Sequence, residues 1–588
     1  MEHSAHARNA GFLKRLDGGG FRLMTDNEGQ FDAIVVGSGI TGGFAAKELT
    51  EAGLKVLMIE RGRKIEHQVD YETETKSPWE MEFRGEGDTA LYERDYAVQM
   101  LNRHFTEFTQ NHFVNDAEQP YQKAPGKDFD WFRSYQLGGR SLTWGRQCYR
   151  WSDYDFGANK RDGVGTDWPI RYAELAPWYD RVEEFVGVSG AREGLAQLPD
   201  GHFLPPMELN VVEQAVRERI RAKYPERVLT IGRTANLTEA RPEQGRAHCQ
   251  YRSICARGCS YGAYFSTQSA SLPAAQKTGR LTVVTDAQVH RLSYDPATRR
   301  VTAVHWIDTK TGEHKRAHSR IVFLNAGSFN SVHVLLNSRS EAMPNGLANS
   351  SGVLGTHIMD HASTLAAKAI MPGFEDRTTF GNRPTGVVIP RFKNMETLDG
   401  DGFTRGYSYQ GGAMQSTWTQ GKRMGGIGAE YKDKLHQVGP WSMVLVAFAD
   451  SMPRASNRLT LSKKLDPRGV PQLEIAFEHG AEEHAALADA KKEAAAMLTH
   501  AGGKVIMGFD RPNHGGTAIH EMGGARMGWD PQTSVLNRWN QAHDAANLFV
   551  TDGAQMSSSA CQNPSLTYLA LTARACDAAV SMLKEGRL

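Results

Sequence analysis

From Phe31 the sequence FDAIVVGSGITGGFAAKELTEAGLKVLMIERG passes from an apolar strand through a glycine turn into a helix with Phe44, Ala45 and Leu49 on one face, then into a second strand ending at Glu60. Gly37, Gly39 and Gly42 form GxGxxG around Ser38. Glycines so placed close a tight turn, bring backbone up to a pyrophosphate and set the phosphates at the helix N-terminus. Glu60 stands 23 residues after Gly37, where a carboxylate receives the hydroxyls of an adenosine ribose, and Arg61 follows it. The unit predicts a doubly wound α/β nucleotide-binding body and leaves NAD and FAD both open.

At 588 residues the chain has room for several domains' worth of core. Lys and Arg number 68 against 67 Asp and Glu, so no nucleic-acid footprint is indicated. No uninterrupted apolar run approaches 18 residues, which excludes a transmembrane segment. The first 23 residues lack an apolar core and do not read as a secretory signal. Six cysteines are too few for a disulfide scaffold, and three of them, Cys249, Cys255 and Cys259, fall within eleven residues, which points to metal or redox chemistry.

The expected division is an extension over 1–30, a first nucleotide-binding part over 31–165 with a surface excursion at 65–130, and a cap beginning at 166–240 with helices in YAELAPWYDRVEEFVG and VVEQAVRERIRAKY. Residues 241–349 carry the cysteine loop and a second nucleotide-binding part, with strands in LTVVTDAQVHRLSYD, VTAVHWIDTKTG and RIVFLNAGS. Residues 350–510 predict a mainly antiparallel sheet forming a substrate domain, in which Tyr407, Tyr409 and Trp418 could stack on a sugar, although aromatics of this kind are more often core or surface packing. Residues 511–588 return to the nucleotide-binding body through LFVTDG and a long last helix.

Five further stretches, GGRSLTWG, NAGSFNSVHVLLNS, GTHIMDH, HEMGGARMG and VTDGAQMSSSACQNPSLTYLALTARA, give the chain a resemblance to the GMC (glucose-methanol-choline) oxidoreductases along nearly its whole length. The resemblance implies an FAD-binding Rossmann-type domain joined to a substrate domain on an antiparallel sheet with helices. It implies cofactor contacts at Gly138, Gly139, Ser141, Ala326, Asp552, Gly553, Asn563 and Pro564, with Val289 near the adenine. Relatives with covalent FAD carry a histidine where this chain has Thr143, so the expected FAD is non-covalent.

His520 heads HEMGGARMG, the stretch that carries the family's catalytic histidine, and an imidazole suits removal of a hydroxyl proton because its pKa lies near neutrality. Asn563 matches the position of a second histidine or an asparagine and is expected to hold the substrate hydroxyl against that base. His514 and His361 receive no catalytic role. The cysteine triplet is similar to those of cluster-bearing sugar dehydrogenases in the family and implies a 3Fe-4S cluster, the alternative being small buried residues.

Within the family the layout is most similar to dehydrogenases of the glucoside 3-dehydrogenase kind. That implies oxidation of a secondary ring hydroxyl, at C3 of a glucoside, to a ketone, with electrons leaving through the cluster to a cytochrome c. A gluconate or fructose dehydrogenase-like subunit and a cluster-free oxidase using oxygen are the alternatives. A small subunit with a twin-arginine signal, and a periplasmic location by co-export, are implied in the same way; a cytoplasmic enzyme is the other expectation.

Overall fold

A computed structural model describes residues 31–588 apart from 380, 396, 418–420 and 422–423, together with the backbone of two short antiparallel strands, Phe12–Arg15 and Phe21–Met24. The apolar run Phe31–Val36 lies at the centre of a five-stranded parallel sheet ordered Leu548–Val550, Ser319–Leu324, Phe31–Val36, Val56–Ile59, Leu281–Val284. Its side chains alternate between two cores. Ala33 and Val35 pack with Ala45, Leu49 and Ala579 of the helices Ile40–Glu51 and Ser565–Lys584, while Ile34 and Val36 face the main core with Trp151, Trp168 and Leu569. A strand covered on both faces has no reason to alternate polar and apolar residues, and this one does not.

The second body is a six-stranded sheet ordered Lys504–Met507, Ala362–Met371, Trp441–Ala449, Tyr407–Gln415, Val387–Ile389, Thr230–Ile231, with every pairing antiparallel. Trp441–Ala449 alternates strictly between buried and half-buried positions. Its buried residues meet Leu487, Ala490, Ala494 and Met497 of the helix Ala481–His500. This is the antiparallel sheet expected over 350–510, with one strand drawn from Thr230–Ile231.

Several local readings change. Of the strands expected over 241–349, Leu281–Val284 joins the edge of the parallel sheet, and Ala287–Asp295, Arg300–Asp308 and His314–Ala317 form a separate antiparallel sheet. The two helices read as the start of a cap part company. Val211–Lys223 packs on the six-stranded sheet, whereas Tyr172–Val186 packs on the last helix and sets Phe185 edge-on to Phe44, 5.6 Å away. Tyr407 and Tyr409 do not face a substrate. Strand alternation turns both to the helix side, where they are fully buried and donate to Asp489 Oδ2 (2.6 Å) and the Ala490 carbonyl (2.7 Å). Trp418 lies outside the described residues.

The stretch 65–130 has little regular structure beyond short helices such as Thr89–Asp95 and an aromatic knot of Tyr92, Tyr96, Phe105 and Phe113. It runs beside the cysteine loop. Gln68 donates to the Ser260 carbonyl (2.8 Å), the Ser260 N–H donates to Glu74 (2.9 Å), and the Arg257 guanidinium lies 3.5 Å over the Phe108 ring.

Candidate active site

The glycine turn is built for close approach. Gly37 has φ 90°, and a Cβ on it would lie 2.3 Å from the Asn325 carbonyl oxygen and 2.8 Å from Ala326 Cα. A Cβ on Gly42 would lie 2.0 Å from the Gly37 oxygen, so these two glycines close the turn and seat the helix. Gly39 differs, because a Cβ there meets nothing within 4 Å. Gly39 also begins the helix Ile40–Glu51 without a side-chain cap, which leaves the first N–H groups without a capping side chain, as an anion site requires.

The other predicted cofactor residues gather around this turn. Gly139 stands 3.4 Å from Gly39 Cα at its would-be Cβ, and the Gly138 N–H donates to Ser38 Oγ at 2.8 Å. Ser141 Oγ donates to the Gly138 carbonyl (2.6 Å) and accepts from the Thr267 N–H (3.0 Å), which holds the double-glycine turn in shape. Glu60 is buried, and its carboxylate receives Ser38 N–H (3.0 Å), Ser38 Oγ (2.5 Å) and Gly62 N–H (2.9 Å). Burial pushes its pKa up, against those hydrogen bonds. Arg61 lies with its guanidinium 4.5 Å over the Tyr135 ring and bonds Gln119, leaving its buried Nε without a protein partner. Val289 sits two residues beyond Ala287, whose N–H donates to the Glu60 carbonyl at 2.9 Å.

On the opposite side Asp552 accepts from the Gly327 N–H (3.0 Å), Ser331 Oγ (2.5 Å) and the Ala554 N–H (3.0 Å), and burial raises its pKa to about 6. Ser331 Oγ in turn accepts from the Ala326 N–H at 3.0 Å. The stretch with the candidate base is stitched onto this side: Gly523 N–H donates to the Gly553 carbonyl (2.8 Å), and a Cβ on Gly553 would lie 2.3 Å from the Glu521 carbonyl oxygen. Pro564 caps the helix Ser565–Lys584 immediately after Asn563.

His520 and Asn563, 43 positions apart, meet with Asn563 Nδ2 and His520 Nε2 at 3.0 Å. On the other side of the ring His520 Nδ1 stands 2.9 Å from His361 Nδ1, and His361 Nε2 is 2.6 Å from the Ala560 carbonyl. Gln410 Nε2 donates to Asn563 Oδ1 at 2.5 Å, and the Phe448 ring lies 6.1 Å from His520. Burial drives the His520 pKa well below its usual value, with His361 and Arg140 adding to the shift; burial likewise lowers His361 to about 4. Both imidazoles are therefore neutral at neutral pH, the form a general base needs.

Asp360 holds the turn that presents His520. Its carboxylate accepts the N–H groups of Gly516 (2.7 Å), Ala518 (3.3 Å) and His520 (2.9 Å), on both sides of Ile519, a β-branched residue at φ 60°. Such a backbone costs roughly 1–3 kcal/mol and persists where its surroundings fix it. Burial and the Glu521 charge raise the Asp360 pKa to about 7. Glu521 itself is buried and pairs with Arg140 (3.0 Å to Oε1), joining the double-glycine turn to the histidine stretch.

His361, to which the sequence assigned no catalytic role, joins the site together with Asp360, Arg140, Glu521 and Gln410, which the sequence did not single out. The first four lie inside the motifs GTHIMDH, GGRSLTWG and HEMGGARMG, so their motif membership was the available signal; Gln410, in YSYQGG, carried none. His514 is exposed, 3.6 Å from Asp130, away from this cluster.

Cys249, Cys255 and Cys259 are free thiols lining one cavity together with Asn236, Tyr251 and Tyr264. Among the described residues no group of three or more His, Cys, Asp or Glu side chains is placed to hold a metal ion. The loop includes Tyr251 and Ser253 at φ 54° and 60°. Burial raises the Cys249 thiol pKa. No helix among the described residues is long and apolar enough to cross a membrane.

Residues 31–363 and 453–572 match the two sequence profiles described as GMC oxidoreductase. Similar proteins include the fructose dehydrogenase large subunit of Gluconobacter japonicus, 26% identical over 571 residues covering 94% of this chain and 98% of that one. The 2-methyl-1,2-propanediol dehydrogenase of Mycolicibacterium austroafricanum is 26% identical, covering 94% and 96%. Among solved structures, formate oxidase of Aspergillus oryzae RIB40 superposes with a TM-score of 0.61 at 14% identity, covering 95% of this chain and 100% of that one. The profiles span the nucleotide cradle, the histidine pair and the start of the last helix, and the chain belongs to the GMC oxidoreductase family.

Proposed function

We propose that the protein is an FAD-dependent sugar dehydrogenase subunit that oxidises a secondary ring hydroxyl, at C3 of a glucoside or pyranose, to a ketone. The observation that carries the alcohol-oxidising part of this reading is the neutral, half-buried His520, its Nε2 beside the Asn563 amide, on a stretch bonded to the cradle at Gly553; the C3 position rests on the sequence resemblance. The cradle suits a flavin dinucleotide: the space over Gly39 is open, the helix behind it is uncapped, and Arg61 Nε and Ser134 Oγ are buried polar atoms awaiting a partner. Thr143 offers no imidazole for a covalent link, so the FAD is held non-covalently. When bound, FAD supplies the hydride acceptor. His520 Nε2 takes the hydroxyl proton, and Asn563 Nδ2 is placed to donate to the substrate oxygen as charge builds on it.

Three free thiols around one cavity suit a 3Fe-4S cluster, in which each iron takes its own thiolate and the sulfurs need not converge on one ion. Cys249, Cys255 and Cys259 would hold it, and it would supply one-electron transfer. A second subunit is supported by likeness to a protein named as a fructose dehydrogenase large subunit; that it is small and bears a twin-arginine signal, with a cytochrome c acceptor and periplasmic co-export, completes the proposal.

The test is iron, acid-labile sulfide and flavin measured on one anaerobic preparation, with glucosides and their 3-deoxy analogues as substrates. About three irons per flavin and no turnover of the 3-deoxy analogue are expected. Flavin without iron, with stoichiometric peroxide from oxygen, would replace this proposal by a cluster-free oxidase. His520→Ala is expected to slow substrate-driven flavin reduction about 10²–10⁴-fold; unchanged reduction removes His520 as the base.

A further inference from the structure

We propose that His361 is a positioning residue that locks His520 in the tautomer whose Nε2 is free to receive a proton, an inference that rests on His520 being the base. One hydrogen-bonded chain fixes the tautomer from both of its ends. The Ala560 carbonyl only accepts, so His361 Nε2, 2.6 Å away, carries a hydrogen. His361 is fully enclosed and uncharged at neutral pH, so its Nδ1 is bare. That bare nitrogen stands 2.9 Å from His520 Nδ1, which must therefore carry the hydrogen of that bond, leaving His520 Nε2 bare.

From the other end, Gln410 Nε2 only donates, which fixes Asn563 Oδ1 as its acceptor and turns the Asn563 NH₂ toward His520. Asn563 Nδ2 also only donates, so His520 Nε2, 3.0 Å away, must accept. Partners on opposite sides of the His520 ring thus select the same tautomer.

The nearby charges are otherwise engaged. Asp360 accepts the backbone N–H of His520 and not its ring, Glu521 faces Arg140, and His479 contributes through space to His361. The orienting group behind the base is thus a neutral imidazole, where a hydrolase triad uses a carboxylate. When His520 takes a proton at Nε2, its Nδ1–H already points at His361 Nδ1, so the charge is shared along two rings ending at the Ala560 carbonyl.

The test uses the full chain with its flavin, labelled with ¹⁵N-histidine, as wild type, His361→Gln, His361→Leu and His520→Ala. The ¹⁵N signals of His520, assigned by their loss in His520→Ala, are expected to show Nδ1–H alone in the wild type, a tautomer mixture in His361→Leu, and Nδ1–H again in His361→Gln, whose amide oxygen accepts. Flavin reduction is expected to slow about 10–100-fold in His361→Leu at unchanged KM and flavin content, and to recover to within about fivefold in His361→Gln. An Nε2–H tautomer at His520 in the wild type overturns the proposal whatever the His361 variants do. So do equal rates in the Leu and Gln variants with His520 signals unchanged. If the tautomer follows residue 361 while His520→Ala still reduces flavin, the lock stands and the assignment of the base falls.

Discussion

Gly37 and Gly39 are two positions apart, and the structure makes opposite demands of them. At Gly37→Ala the added methyl would sit 2.3 Å from the Asn325 oxygen on a backbone at φ 90°. The left-handed conformation alone costs roughly 1–2 kcal/mol for an L-residue, and a carbon forced well inside contact distance of a main-chain oxygen in the central sheet adds a further ~1–3 kcal/mol. Gly39→Ala places its methyl where nothing lies within 4 Å, at φ −57°, so the flavin-free protein is expected to change by about 0.5 kcal/mol or less. That same methyl projects over the uncapped helix start, so a pyrophosphate loses its approach, and FAD affinity is expected to fall about 100-fold, or ~2.7 kcal/mol. Urea unfolding of the flavin-free protein and fluorescence titration with FAD separate the two effects. Gly39→Ala that binds FAD like the wild type would refute the placement of the pyrophosphate over Gly39. Gly39→Ala that unfolds as readily as Gly37→Ala would refute the claim that the space is open.

Arg140→Met leaves the buried Glu521 carboxylate without its guanidinium and is expected to lower stability by ~3–5 kcal/mol, read as a lower Tm, with Arg140→Lys in between. Asp360 has a folded pKa of about 7 against 3.8 when unperturbed, so the fold prefers it protonated; its contribution to stability is full below about pH 4 and is lost as pH rises through 7. Asp360→Asn should remove that part of the decline, so the wild-type-minus-variant difference in urea-unfolding free energy should shrink between pH 5 and pH 8, and a constant difference would contradict the shift. Tyr407→Phe removes a buried hydroxyl donating to Asp489 and is expected to cost ~1–2 kcal/mol in stability while leaving KM for the sugar unchanged in steady-state assays.

The parallel sheet was legible because its residues obey local rules: an apolar run, a glycine turn and an amphipathic helix each carry their own pattern from Phe31 to Glu60. His520 and Asn563 were legible through their motifs, and the structure brings them within hydrogen-bond distance. The orientation of Tyr407 and Tyr409 was not, because which face of a strand meets a helix is decided by Ala481–His500, a segment over 70 residues later. The parting of the helices Tyr172–Val186 and Val211–Lys223 was hidden for a similar reason: both are amphipathic, and amphipathicity says that a face is buried without saying against what. Asp360 is a third kind of case, since its value lies in three N–H groups some 160 residues away that no local pattern announces.

The strict alternation of Trp441–Ala449 divides labour along one strand. Met443, Leu445 and Ala447 bind the helix Ala481–His500, while Val446 pairs across from Gln410, and Phe448 reaches the His520 ring from the other face. Substitutions at Val446 and Phe448 leave the packed face untouched, so the histidine side of the sheet can be altered without disturbing the frame.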